Sequence, residues 1–236
     1  MKSWTHTRTI DGGTAAKRGY TVAHNQTTRV YNSIKEKILN GCFKPAQPLP
    51  EMEMAKMFEV GRSTVKKAFL MLQSENLIEL RDNHGARVRS FDIEEITQHL
   101  KVRILLECYV AEITAPVITD EKLAQMEEVL KVMQSLFEVG NFLEYSAHNE
   151  KFHGFVYASC PNRVASDMIL SIRMQIGRYN FKTIMVPGRG NASIREHWEL
   201  LDAYKKRDAV KAKQITLTHV SNLLDTLHKN YNYLFI

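Results

Sequence analysis

The sequence predicts a mostly α-helical protein of two domains, an N-terminal winged helix-turn-helix followed by an all-helical bundle. Three observations predict it. Apolar residues recur at helical spacing through most of the chain, a short stretch at residues 77–89 switches to the pattern of a β-hairpin, and the whole basic excess lies at or before that switch. Residues 1–90 hold 15 Lys and Arg against 8 Asp and Glu, whereas residues 91–236 hold 17 against 18. An electropositive segment joined to a near-neutral one is the footprint of a nucleic-acid-binding module attached to a part with another task.

Residues 1–26 are polar, contain Gly12, Gly13 and Gly19, and show no sustained apolar period, which predicts a flexible tail. In TTRVYNSIKEKILNG, Val30, Ile34 and Ile38 recur every four residues, Thr27 or Thr28 can cap the start, and Gly41 supplies a stop. Pro45, Pro48 and Pro50 interrupt the next stretch, and Pro50 with Glu51 and Glu53 suits the first turn of a second helix carrying Met54 and Phe58. A turn at Val60 and Gly61 leads to a third helix starting near Ser63. Its buried stripe is Val65, Ala68, Phe69 and Leu72, with Arg62, Thr64, Lys66 and Lys67 outside it. Residues 77–80 and 86–89 flank a turn-rich segment and form the hairpin, so that residues 27–90 make the winged helix-turn-helix. Asp92 with Glu95 forms a capping box at the start of the second domain, residues 91–236. Helical segments follow at about 93–115, 120–138, 142–158, 163–185, 193–206 and 208–231, with Pro116, Pro161 and Pro187 near the breaks. No repeat of fixed period is present, which favours a bundle over a solenoid.

Composition narrows the function. No apolar run approaches the roughly 20 residues of a membrane span, and the N-terminus lacks the apolar stretch of a secretory signal, so a cytoplasmic protein without a membrane partner is expected. Cys42, Cys108 and Cys160 are too few and too dispersed for a disulfide framework or thiolate zinc site, and should be buried or half-buried small side chains. There is no HExxH, no Gly-rich phosphate loop and no nucleophile motif, which argues against an enzyme.

The start of the third helix supplies recognition chemistry. Arg62 can pair with guanine or clamp a phosphate, Ser63 and Thr64 can bond phosphate, and Lys66 can follow the backbone, while His84 and Gly85 at the hairpin tip can enter the minor groove. Residues 30–88 resemble the GntR-family DNA-binding domain from the first helix to the wing. The family core is close to SRTPVREAL where this chain has GRSTVKKAF, so Gly61, Thr64, Lys66 and Lys67 depart from it. The resemblance implies that Arg62, Ser63, Lys66 and Gly85 meet double-stranded operator DNA, and that the protein is a homodimer. One module reads few base pairs, which also favours pairing.

In the second domain, Asn149 and His153 lie four apart on one helix, His197 follows Glu196 on another, and His219 lies on the last. The C-terminal half is similar to the all-helical FCD domain of the FadR subfamily, in which an Asp-x-x-x-His pair, an EH dipeptide and a last-helix His surround a divalent metal. The matching strings here are NEKFH, REHWELL and THV. The resemblance implies a zinc or nickel site at Asn149, His153, His197 and His219, with Asn149 standing where the family has Asp. Neutral ligands leave an ion's charge unbalanced and favour an anionic effector, a small organic acid or sugar acid. Arg103 matches a family Arg near the effector cavity, and Arg173 and Arg178 are further candidates, although Arg103 can equally pair with Glu107 one turn on. A metal-free structural or dimerisation domain and, behind it, a metal-dependent enzyme are the alternatives to an effector-controlled transcription regulator.

Overall fold

The computed structural model describes residues 13–81 and 85–235. The chain divides into two compact units on either side of the Ser90–Phe91 junction.

The first unit contains α1 (Gly13–Leu39), β1 (Pro48–Leu49), α2 (Glu51–Phe58), α3 (Arg62–Ser74), β2 (Ile78–Arg81) and β3 (Gly85–Val88). Val30, Ile34 and Ile38 on α1 are fully buried and pack with the α3 stripe of Val65, Ala68, Phe69 and Leu72, each at most 1% exposed. Arg29 Nη2 donates to the Phe58 carbonyl at 2.9 Å, closing the free C-terminus of α2. The sheet is antiparallel in the order β1-β3-β2, with Ile78 opposite Val88 and Leu49 opposite Ala86.

Three expectations change here. The sheet has a third strand, because Pro48 and Leu49 pair with β3; two residues beside prolines are too short to show a period, and Pro48, lacking an N–H, suits the sheet edge. Helix α1 already runs at Gly13, so neither Thr27 nor Thr28 caps it; Ala15, Ala16, Lys17 and Arg18 are strong helix formers that an apolar-period criterion overlooks. The remainder of the expected tail, residues 1–12, lies outside the described residues. Cys42 is exposed, whereas Cys108 and Cys160 are buried.

Among its described residues the second unit is a bundle of six helices, α4 (Ile93–Thr114), α5 (Asp120–Glu138), α6 (Phe142–Ser159), α7 (Arg163–Thr183), α8 (Arg189–Lys205) and α9 (Ala209–Phe235). Asp92 caps α4 through the reciprocal bonds of a capping box with Glu95. Two apolar clusters form the core, one around α5, α6 and α8, the other joining Phe91 and the start of α4 to the ends of α7 and α9. Between them runs a polar layer. On α4, Arg103 and Glu107 fall between Leu100 and Val110; on α7, Arg173 falls between Ile169 and Ile176; on α9, His219 falls between Ile215 and Val220, all of them buried. A bundle interrupts its core in this way where facing helices build a site from inward side chains. Among the described residues no helix is long and apolar enough to cross a membrane.

Candidate functional site

Within the first unit, α3 presents Arg62, Ser63, Lys66 and Lys67 to solvent, and Thr64 is half-buried. Glu51 on α2 lies against this basic start: Arg62 Nη2 is 3.4 Å and Lys66 Nζ 3.9 Å from its carboxylate, while both cationic side chains stay more than 60% exposed. Such loose, solvent-exposed contacts hold the two cations only weakly. Gly85 has φ +80°, and a Cβ there would lie 2.6 Å from the Leu49 carbonyl oxygen, so β1 leaves no room for a side chain. This accounts for the glycine through folding, independently of DNA. His84 lies outside the described residues.

In the second unit, His153 of α6, His197 of α8 and His219 of α9 converge, and one ring nitrogen from each lies within 4.8 Å of the others. His153 Nε2 and His197 Nε2 are 3.1 Å apart. His197 Nδ1 donates to the Ser193 carbonyl at 2.6 Å, which leaves its Nε2 as a lone pair facing the cluster. His219 Nδ1 lies 2.6 Å from Glu196 Oε2, the outer carboxylate contact that fixes the ring of a metal-binding His. Burial, reinforced by neighbouring positive charge, holds the pKa of His153 and His197 well below the usual imidazole range, and burial also lowers that of His219 despite Glu196. Neutral imidazoles are what a metal requires. The 3.1 Å separation is also near the roughly 3.3 Å between ligands of a tetrahedral ion with bonds of about 2.0–2.1 Å. The donor set therefore fits a divalent metal ion.

Asn149, one turn before His153, lines the adjoining cavity of about 50 Å³ together with Arg103, Glu150, Arg173, Arg189 and His219. The arginines are differently engaged. Arg103 donates from Nε to Glu107 at 2.7 Å, as its spacing allowed, but its buried Nη1 has no hydrogen-bond partner. Arg173 has a partner at each of its three nitrogens: Nη1 reaches Glu107 at 3.3 Å and Tyr157 Oη at 3.2 Å, while Nη2 and Nε grip Glu150 at 2.8 and 3.2 Å. Arg178 lies on α7, and its side chain is outside the described residues.

Three further residues, Arg189, Glu196 and Glu150, contribute to the site. Arg189 is 8% exposed, contacts Glu196 at 3.0 Å through Nη2, and leaves Nη1 buried without a partner. The helix carrying it begins at Arg189 rather than near residue 193, because Gly188 at φ +79° starts it immediately after a segment that reads as a turn. Glu196 precedes His197 in the EH dipeptide, which was the available signal. Glu150, beside Asn149, had none. Around the cavity three guanidiniums (Arg103, Arg173, Arg189) thus meet three carboxylates (Glu107, Glu150, Glu196).

Comparison with known proteins places both units. The model of bacterial regulatory proteins of the gntR family matches residues 26–88, and the FCD domain model matches residues 98–222. The chain is 27% identical over 193 residues to the HTH-type transcriptional regulator YdhC of Bacillus subtilis (strain 168), covering 81% of this chain and 86% of that one. It is 26% identical over 223 residues to the galactonate operon transcriptional repressor of Escherichia coli (strain K12), covering 84% and 95%. These relatives are transcriptional regulators, not enzymes. Among solved structures, E. coli McbR/YncC shares the fold with a TM-score of 0.76 at 20% identity, covering 88% of this chain and 99% of that one. The chain therefore belongs to the GntR family of bacterial transcription regulators, in the FadR subfamily that joins a GntR helix-turn-helix to a C-terminal FCD domain.

Proposed function

We propose that a small organic acid or sugar acid, bound beside a divalent ion held by His153, His197 and His219 with Asn149 adjoining, controls operator binding by this regulator. The observation that carries the proposal is the pair of buried, unpartnered donors, Arg103 Nη1 and Arg189 Nη1, on the cavity next to the imidazoles. Unmade hydrogen bonds to buried charged groups are costly, and a carboxylate supplies the acceptors both lack. The guanidiniums are already matched by protein carboxylates, so a bound divalent ion would bring excess positive charge and favour an anion further. When bound, the ion would polarise one oxygen of that anion. Arg103 and Arg189 would orient it. The likeness to a galactonate operon repressor supports a sugar acid as the first class to try.

On the DNA side, Arg62 and Lys66 supply base and phosphate contacts at the start of α3, with Ser63 and Thr64 beside them. Two copies on a pseudo-palindromic operator, in the cytoplasm, complete the proposal, since one recognition helix reads too few base pairs for specificity. The test is a thermal-shift series on full-length protein stripped with chelator or reloaded with zinc or nickel, using sugar acids against their alcohol and amide analogues. Stabilisation by acids, dependent on metal and lost in Arg103→Ala, is expected. Equal stabilisation by neutral analogues, or indifference to metal, would overturn the site.

A further inference from the structure

We infer that Glu150 is a built-in substitute for the effector's carboxylate, occupying Arg173 until an external carboxylate exchanges for it. The inference rests on the proposed carboxylate effector, and adds how the site is held when no effector is bound and which residue sets its affinity.

Arg173 is 5% exposed and reaches two carboxylates of different character. Glu107 is 4% exposed and takes three donors on one oxygen, from Arg103, Arg173 and Tyr157, so it is a fixed part of the core. Glu150 is 53% exposed and engages Arg173 with both oxygens, Oε1 to Nη2 at 2.8 Å and Oε2 to Nε at 3.2 Å. This two-point grip is the geometry in which a guanidinium recognises a free carboxylate ligand. The partners differ in what release costs. Glu150 can turn outward and recover its hydration, but a buried Arg173 cannot be left half-paired. Departure of Glu150 is therefore feasible only when another carboxylate takes its place.

Cavity size points the same way. About 50 Å³ is far below the roughly 300–1,000 Å³ of typical small-molecule pockets, so a sugar acid needs the wall to open. Glu150 is the half-exposed charged member of that wall, and its removal would enlarge the cavity where the guanidinium fork lies. An occupied fork also lowers apparent affinity in proportion to the fraction of time it is free, which excludes weakly binding anions.

The experiment uses sodium acetate on the full chain, with sodium chloride at matched ionic strength, and reads thermal unfolding of wild type, Glu150→Ala, Glu150→Gln and Glu150→Ala/Arg173→Lys. Acetate should stabilise Glu150→Ala by roughly 3–5 °C at ten times its dissociation constant. Wild type should need about tenfold more acetate for the same shift. The gain over wild type should vanish in the double variant, and chloride should not reproduce it. Should Glu150→Ala prove unfolded, Glu150→Gln, which keeps the shape and drops the charge, carries the same comparison. Identical acetate responses in wild type and the Glu150 variants, or a gain over wild type that survives Arg173→Lys, would overturn the exchange. An acetate response intact in a protein whose operator binding ignores every carboxylate would remove the regulatory reading instead and leave the exchange standing.

Discussion

Replacing Glu107 with Ala should be among the most damaging single changes in the second unit. Burial alone would raise its carboxyl, but the guanidiniums of Arg103 and Arg173, with Arg103 and Tyr157 as hydrogen-bond donors, outweigh burial and hold its pKa at about 2, against an ordinary 4.5. At about 1.4 kcal/mol per pH unit, that difference corresponds to about 3 kcal/mol of stability at neutral pH. Removing one partner of a buried ion pair independently suggests about 3–5 kcal/mol, because Arg103 would then have both Nε and Nη1 unpaired. For a chain of this length the loss should lower the unfolding midpoint by roughly 10 °C. The assay is thermal and urea unfolding by circular dichroism at pH 7, beside Glu128→Ala, whose solvent-screened pair with Lys131 at 2.8 Å should contribute little. The sign with pH is fixed as well. Since the folded value is depressed, the contribution is complete above about pH 4.5 and is lost as pH falls through about 2, so wild type and Glu107→Gln should converge in acid. A Glu107→Ala loss no larger than that of Glu128→Ala would refute the buried network as a source of stability.

Other outcomes follow from the same geometry. Arg62→Ala should weaken binding to the cognate operator by ~1–3 kcal/mol, and Lys66→Ala should weaken all sequences evenly while lowering the salt slope by about 1, both measured by anisotropy titration at fixed salt. Gly85→Ala, which meets both a positive φ and the Leu49 carbonyl, should destabilise the first unit by more than ~1 kcal/mol in urea unfolding. His197→Ala should abolish bound zinc or nickel and Asn149→Asp should tighten it, as read by elemental analysis after dialysis. Burial depresses all three imidazoles, so their contribution to metal-free stability is full above pH 6.5 and is lost as pH falls from there through the folded values; His153→Gln should flatten that decline by up to about 1.4 kcal/mol per pH unit.

The parts of the fold legible in the sequence were those governed by local periodicity. Val65, Ala68, Phe69 and Leu72 repeat at helical spacing because one face of α3 is core, and all four are buried. Asp92 and Glu95 reach each other within one turn, so their box could be read directly. What escaped is set by partners distant in sequence. β1 exists only because β3 passes beside Pro48 and Leu49, nearly forty residues later. Arg173 was visible as a candidate, yet its pairing with Glu107 and Glu150, 66 and 23 residues away, depends on how α4, α6 and α7 pack. The three histidines stood out through family resemblance; spacing alone gave no reason for helices α6, α8 and α9 to bring them within 4.8 Å.

The central claim, that the buried site controls DNA binding, is tested most directly by operator affinity measured against carboxylate concentration. The protein would be metal-loaded, at constant salt, with His197→Ala in parallel. The account predicts that a sugar acid or related carboxylate which stabilises the wild type changes its operator dissociation constant by about 5–150-fold, and leaves that of His197→Ala unchanged. A carboxylate that binds and stabilises the wild type without moving operator affinity, or that moves it equally in His197→Ala, would contradict it.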